Sequence, residues 1–486
     1  MTIFTAQKRA FTFALSILLL IAVIAHAQLP PEKSTADQWL EENEPTLKKV
    51  NQQIWNFAEP GLEEYKSSQA LIDLLQQNGF KIESGLADMP TAFIATYGSG
   101  KPVIAILAEY DALPGLSQKA SPEKEPRPET QNGHGCGHCL LGTASTGAAI
   151  AARYAMEKHN LKGTIRLYGT PAEETVIGKV YMARAGLFND CNAVLWWHPG
   201  SKTSPFYATT KAAVSVKFTF HGLASHASIA PAKGKSALDA VELMDVGANF
   251  LREHLPEDAR ISYTITNGGD RPNIVPPTAQ VWYYLRANKH PDVEYIFQRM
   301  LNMAKGAALM TDTTFDYYID SDCFEVLPNL PLSQLLYKNL ELAGPPKFNQ
   351  DDKIFAEKIQ KSLESPPKCL LSEVIGPLPS EPNKTGGSTD AGNVSWIVPT
   401  GAVDVACHPC GAPLHSWQVT ACSGSSIGEK GMFTAARALA YSAVDLLTDP
   451  QWLIKADEDF QKRSKDKPTS LLPKTKIKNN GHRNPP

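Results

Sequence analysis

Apolar positions recur every three or four residues between 36 and 60, where Trp39, Leu40, Leu47, Val50, Ile54 and Phe57 fall on one helical face. The same period continues over 66–80, and Gly79 reads as the stop of that helix. Short apolar runs then alternate with helical stretches. Segments 103–110, 164–170 and 193–197 predict buried strands, and the Ala-rich stretch 140–156 predicts a helix. This rhythm predicts an α/β fold with a mixed, mostly parallel sheet and helices on both faces.

The pattern changes near 210. Val214, Val216, Phe218 and Phe220 alternate with Ser215, Lys217 and Thr219, which predicts an antiparallel sheet with one wet face. Helices are expected over 235–254 and 291–309, and further strands over 260–266, 279–287 and 313–319. That order is a ferredoxin-like α+β module inserted into the first domain. From 330 the earlier pattern resumes, with a strand expected over 401–407 and a helix over 426–447. The stretch 351–388, rich in Pro, Lys and Glu, reads as an extended loop. The expected division is a first domain over 28–207 and 326–455, an insertion over 208–325, and a basic tail over 456–486. The last 25 residues hold eight Lys or Arg and four Pro, so disorder is expected there.

The chain opens on Lys8 and Arg9, an apolar run over 11–24, and then Ala25-His26-Ala27. This predicts a secretory signal peptide over 1–27, cleaved before Gln28, and export to a periplasm or the exterior. The run is short for a membrane span, so the cleaved chain is not expected to cross a bilayer. A net charge of -3 gives no ground for a nucleic-acid partner. Eight cysteines in 486 residues do not make a disulfide scaffold.

Residues with chemistry to offer sit at the ends of the predicted strands, where open α/β sheets collect ligands. Glu109-Tyr110-Asp111 ends the strand over 103–110. His134-Gly135-Cys136-Gly137-His138-Cys139 precedes the helix over 140–156, and a thiolate and an imidazole so placed suit a zinc-like ion. Glu173-Glu174 follows the strand over 164–170; one of two adjacent carboxylates can bind metal while the other acts as a base. Trp197-His198-Pro199 and Leu414-His415-Ser416 add two histidines. Singly, each has a plain structural reading as a hydrogen-bonded or solvated residue. Their shared placement at matching ends of alternating elements points to a metal centre.

These stretches, together with 221–237 and 387–396 (GSTDAGNVSW), resemble the M20 family of metallopeptidases and amidohydrolases. The likeness covers roughly 36 to 447, in the family's order, and is strongest in the branch of amino-acylases, indole-acetyl-amino-acid hydrolases and p-aminobenzoyl-glutamate hydrolases. It implies a zinc-peptidase-like first domain and an inserted dimerisation domain. It implies two divalent ions, Zn or Mn, held by Cys136, His138, Glu174, His198 and His415. Glu173 matches the general base. Asp111 and Glu109 match positions that support the ligands. His226 matches a histidine supplied across the dimer, and Asn273 and Arg286 match residues that hold a substrate carboxylate, with Arg271 a further candidate. The implied reaction is hydrolysis of an N-acyl or N-aroyl amino acid such as p-aminobenzoyl-glutamate, in a homodimer or with a homologous second subunit. Two departures stand out: Cys139 replaces an Asn or Asp, and Asn393 replaces an Asp.

The alternatives are a dipeptidase of the same family, a non-catalytic metal-binding scaffold, and a thiol–disulfide protein using Cys407 and Cys410. For Cys407-His408-Pro409-Cys410 a structural disulfide or inert thiols outweigh redox catalysis. Cys136 and Cys139 form a second pair close enough in sequence to bond.

Overall fold

The computed structural model describes residues 29–472. The expected signal peptide and its cleavage site lie outside them. The first amphipathic stretch forms two helices, α1 (Pro31–Glu42) and α2 (Glu44–Phe57), rather than one. The break falls at Asn43 because Pro45 has no N–H to continue the ladder. There follow α3 (Tyr65–Gln77), β1 (Lys81–Ser84), β2 (Phe93–Ser99), β3 (Val103–Ala108), α4 (His138–His159), β4 (Gly163–Gly169), α5 (Gly178–Arg184), β5 (Ala193–Gly200), β6 (Ser204–Phe206) and β7 (Ala208–Thr209). The insertion comprises β8 (Ala212–His221), α6 (Ala237–Leu251), β9 (Arg260–Asn267), β10 (Thr278–Ala287), α7 (His290–Thr311) and β11 (Thr314–Cys323). The chain returns through α8 (Leu330–Ala343), α9 (Gln350–Lys361), β12 (Asn383–Lys384), α10 (Ala391–Ser395), β13 (Thr400–Ala406), α11 (Trp417–Ser423), α12 (Ser426–Thr448) and α13 (Pro450–Arg463).

The large sheet runs β1-β2-β4-β3-β5-β13-β6. Strands β4, β3, β5 and β13 are parallel; β2 and β6 flank them antiparallel, and β1 pairs antiparallel with β2. Side chains alternate across it. Trp197, Val403 and Val405 enter a core shared with α1, α4 and α12. Trp196, Val194 and Ala402 enter a second core with Met182 and Phe188 on the opposite face. α4 is buried almost throughout, and its Ala, Gly, Ser and Thr side chains let the neighbouring helices approach closely. The insertion is a four-stranded antiparallel sheet, β11-β8-β10-β9, packed on α6 and α7. Among the described residues no helix is long and apolar enough to cross a membrane.

Two expectations are corrected. The stretch over 351–388 is not all loop, since α9 starts on a capping box in which Asn349 and Asp352 exchange side-chain and backbone bonds. The tail is not disordered from 456. Asp449 caps α13, with Pro450 in its first turn, and the helix continues to Arg463. Past it, Ser470 Oγ and Leu471 N–H donate to Asp322 Oδ2 at 2.8 and 2.6 Å, and Leu472 is buried in the insertion's core. The disulfide joins Cys410 to Cys369, while Cys407, Cys136 and Cys139 are free thiols.

Candidate metal centre

The parallel strands deliver their carboxyl ends to one place. β3 leads directly into Glu109 and Asp111, β4 into Glu173 and Glu174, β5 carries His198 near its end, and the loop after β13 carries His415. His138 opens α4, two residues after Cys136. Gly137 between them has φ 78°, a left-handed conformation that lets both side chains turn to the same side, and a Cβ there would press on Pro199 at 3.0 Å. His415 N–H donates to Gly135 O at 2.8 Å, which ties the two ligand loops together.

Three groups of donor atoms result, one of them Glu109, His138 and Glu173. Cys136, His138 and His198 converge with their ligand atoms within 4.8 Å of one another, and so do Cys136, Glu174 and His415. Cys136 belongs to both of these. His198 Nε2 lies 3.3 Å from Cys136 Sγ, and His415 Nε2 lies 3.2 Å from Glu174 Oε2. The chemistry of this set fits two divalent ions. Buried His138 Nε2 and Glu174 Oε1 make no hydrogen bond among the described residues. Burial, with Glu174 beside it, pushes the Cys136 thiol well above its ordinary range, so a thiolate there needs a cation. Burial, reinforced by the charge of His138, lowers His198 to about 4 and keeps it a neutral imidazole. Its Nδ1 faces Pro199 O at 2.8 Å, which leaves Nε2 for coordination.

The supporting residues are equally ordered. Asp111 Oδ1 lies 2.7 Å from His138 Nδ1, and Asp111 Oδ2 accepts the N–H of Glu174 at 2.9 Å. Burial alone would raise Asp111, but His138 holds it below the usual carboxylate range. Cys139 gives His138 no help; its sulfur turns toward Ser423 O. Asn393 is spent on the fold, accepting from Phe324 N and donating to Asp322 O. Glu109 Oε2 lies 3.3 Å from His138 Nε2, and Glu109 Oε1 lies 2.8 Å from Lys179 Nζ. Lys179 also meets Asp390 Oδ1 at 2.5 Å and donates its backbone N–H to Asp390 Oδ2. Glu173 lies against these charges, and burial, then Glu109 and Asp390, raise its carboxyl well above the usual range.

A cavity of about 480 Å³ opens onto the centre. Cys136, Glu173, Glu174, His198 and His415 line one side; Trp196, Phe206, Asp404, Tyr284 and Arg286 line others. His226 and Asn273 do not line it. They sit together at the far end of the insertion, where His226 pairs with Ile274 and Ala227 N–H donates to Asn273 O. β10, ten residues long, separates that end from Arg286, a distance of roughly 30 Å. One chain therefore cannot bring Asn273 and Arg286 to the same carboxylate. Arg271 is exposed in the same outer loop.

The family model for a peptidase dimerisation domain matches residues 208–310, from β7 into α7. The chain is 40% identical to one of the two kinds of p-aminobenzoyl-glutamate hydrolase subunit in Escherichia coli, over 86% of this chain and 92% of that protein. The chain belongs to the M20 family. It is an M20 hydrolase of amide bonds. It is also 28% identical to the Xaa-Arg dipeptidase of Mus musculus, over 90% of this chain and 93% of that one. Among the crystal structures that share its fold are the following two. An aminobenzoyl-glutamate utilization protein from Klebsiella pneumoniae has a TM-score of 0.59 at 17% identity, covering 84% of this chain and 98% of its own. A dinuclear metal-binding M20 peptidase of Bacillus subtilis has a TM-score of 0.53 at 17%, covering 84% and 99%.

Four residues of this M20 hydrolase escaped the sequence reading: Glu64, Lys179, Asp390 and Asp404. Asp404 alone left a signal, as a charged residue in the middle of the apolar run 402–406.

Proposed function

We propose that this chain hydrolyses the amide bond of N-aroyl or N-acyl amino acids of the p-aminobenzoyl-glutamate class, at a pair of Zn or Mn ions. The observation that carries this reading is the joint placement of two ligand groups sharing Cys136, the raised carboxyl of Glu173 and the guanidinium of Arg286 around one cavity. Divalent ions held there would lower the pKa of water and polarise the amide carbonyl. Glu173, beside the ligands and held above its usual range, takes the proton from water and returns it to the leaving nitrogen. Arg286 reaches the cavity with a planar fork suited to the carboxylate of the amino-acid half.

His226 and Asn273 serve a neighbouring site in this reading. Both are remote from this chain's own cavity, so His226 of the partner subunit and Asn273 of the partner subunit would complete it in a dimer. A second copy or a homologous subunit could provide them; the E. coli relative is itself one subunit of a hydrolase. The signal-like segment over 1–27 supports export to a periplasm or the exterior. N-terminal sequencing of the exported chain should begin at Gln28.

The second reading is a dipeptidase, favoured by the likeness to Xaa-Arg dipeptidase. A screen of p-aminobenzoyl-glutamate, N-acyl amino acids and dipeptides against residues 28–486, with metal analysis of the same sample, separates the two. Glu173→Ala should abolish turnover and leave metal content near wild type. Normal turnover in that variant would remove Glu173 as the base, and a metal-loaded wild type inert across the panel would point to a scaffold.

A further inference from the structure

Asp404 is a carboxylate in a place where carboxylates are rarely left alone. It lies on β13, whose neighbours Val403 and Val405 enter the core shared with α4 and α12. Alternation puts Asp404 and Ala402 on the other face. There it stands in register with His198 of β5 and Ser204 of β6. Trp196 and Phe206, an edge-to-face pair 5.4 Å apart, occupy the same face, and all three line the cavity beside the metal centre. Asp404 is half-buried and makes no hydrogen bond or ion pair among the described residues. The fully buried acids Asp111 and Asp390 each have a partner, His138 and Lys179 respectively. A carboxylate that a bound ligand would cover is costly to leave without a donor, so a ligand that fits here supplies one. Such breaches of local consistency concentrate at functional sites.

Building on the amidohydrolase reading above, we propose that Asp404 is a specificity-determining residue that accepts a hydrogen bond from an amino group carried on an aromatic acyl half of the substrate. Trp196 and Phe206 offer the ring an apolar, aromatic wall, and Asp404 meets the N–H at its rim. Arg286 lines the same cavity and takes the carboxylate of the other half. The cavity thus has an anion end and a donor end, and an aminoaroyl amino acid spans both. An acyl group of the same shape without the amine would cover Asp404 and leave it unmet, the condition under which polar sites discriminate strongly.

The test is binding and turnover of p-aminobenzoyl-glutamate, benzoyl-glutamate and glycyl-glutamate by metal-loaded wild type, Asp404→Asn and Asp404→Leu, with binding measured by calorimetry. Wild type is expected to bind the amino-bearing aroyl compound at least tenfold more tightly than benzoyl-glutamate. Asp404→Leu should erase that preference while keeping benzoyl-glutamate binding and metal content, and Asp404→Asn, which keeps an acceptor in the same shape, should fall between. The proposal is overturned if Asp404→Leu retains the wild-type preference, if wild type shows none, or if only glycyl-glutamate is affected. Discrimination in binding without cleavage of any of the three would sustain Asp404 and remove the amidohydrolase reading instead.

Discussion

The buried carboxylate of Glu64 accepts the main-chain N–H of Ala172 at 2.8 Å, one residue before the Glu173-Glu174 pair. Ala172 holds φ 56° and ψ 42°, a left-handed conformation that costs a non-glycine residue about 1–2 kcal/mol. The second oxygen of Glu64 takes Thr91 Oγ1 at 2.9 Å, and Gly61 packs so closely that a Cβ there would fall 2.9 Å from Ala172 Cα. The turn that makes two adjacent glutamates diverge is therefore held from behind.

Glu64→Ala is expected to lower kcat by about tenfold or more, since a small misplacement of a base is costly. Ala172→Gly in the same chain should restore much of it, because glycine adopts this conformation unaided. Burial, ahead of the charge of Asp111, lifts the Glu64 carboxyl to about 8, so Glu64→Gln should stay near wild type at neutral pH. Steady-state kinetics on the four proteins check this; failure of Ala172→Gly to rescue would leave Glu64 with a merely structural role.

Asp111 orients His138 with one oxygen and fixes the backbone of Glu174 with the other. Asp111→Asn puts a donor where an acceptor is required at one of them. Divalent-ion affinity should fall by about 10- to 100-fold, read by calorimetric titration of the apo-protein with Zn or Mn. Unchanged affinity would show that His138 is oriented without it.

Lys179 is fully buried between Glu109 and Asp390. Lys179→Met leaves two carboxylates without their cation and should cost about 3–5 kcal/mol in urea unfolding. The triple change Lys179→Met, Glu109→Gln, Asp390→Asn removes the charges together and should recover a large part of that loss. Equal instability of the single and triple variants would show that packing, not charge, is what Lys179 provides.

In the insertion, burial pushes Asp245 up to about 6, against which Tyr283 donates its hydroxyl. A carboxyl raised above its unfolded value of about 3.9 favours the folded state least when ionised. The penalty is absent below about pH 4, grows as pH rises through about 6, and is complete above it. Asp245→Asn, which can still accept from Tyr283, should gain about 1–3 kcal/mol at about pH 8 over wild type and little at about pH 4.5. Denaturation at the two pH values decides it; a gain independent of pH would rule out the ionisation as its origin.

The architecture was legible because its signals are local: the period of the helices, the apolar runs of β3, β4 and β5, and the alternation of β8. The candidate ligands were legible because Cys136, His138, Glu174, His198 and His415 all sit at strand ends or in the loops after them. Glu64, Lys179 and Asp390 were not. Each is an ordinary charged residue in its own segment, and its meaning comes from partners 108, 70 and 211 positions away, respectively Ala172, Glu109 and Lys179. The pairing of Cys410 with Cys369 is of the same kind, since nearness in sequence favoured Cys407. The tail was misread because composition hides a cap at Asp449 and a pair of leucines with a core to enter.

The docking of residues 470–472 on Asp322 changes how the two halves of the molecule can move. An inserted domain joined by two linkers alone would be free to swing about the axis through them; here Tyr181 bonds to Asp320, Ser321 bonds to Val176, and the end of the described chain, reached from α13 on the large domain, adds a further attachment. Any rotation of the β11-β8-β10-β9 sheet against the large sheet must carry Leu471 and Leu472 along or release both hydrogen bonds on Asp322. His290, bonded to the other oxygen of Asp322 at 2.6 Å, holds the anchor point itself in place. Any hinge motion of the insertion would thereby be leashed by residues 470–472.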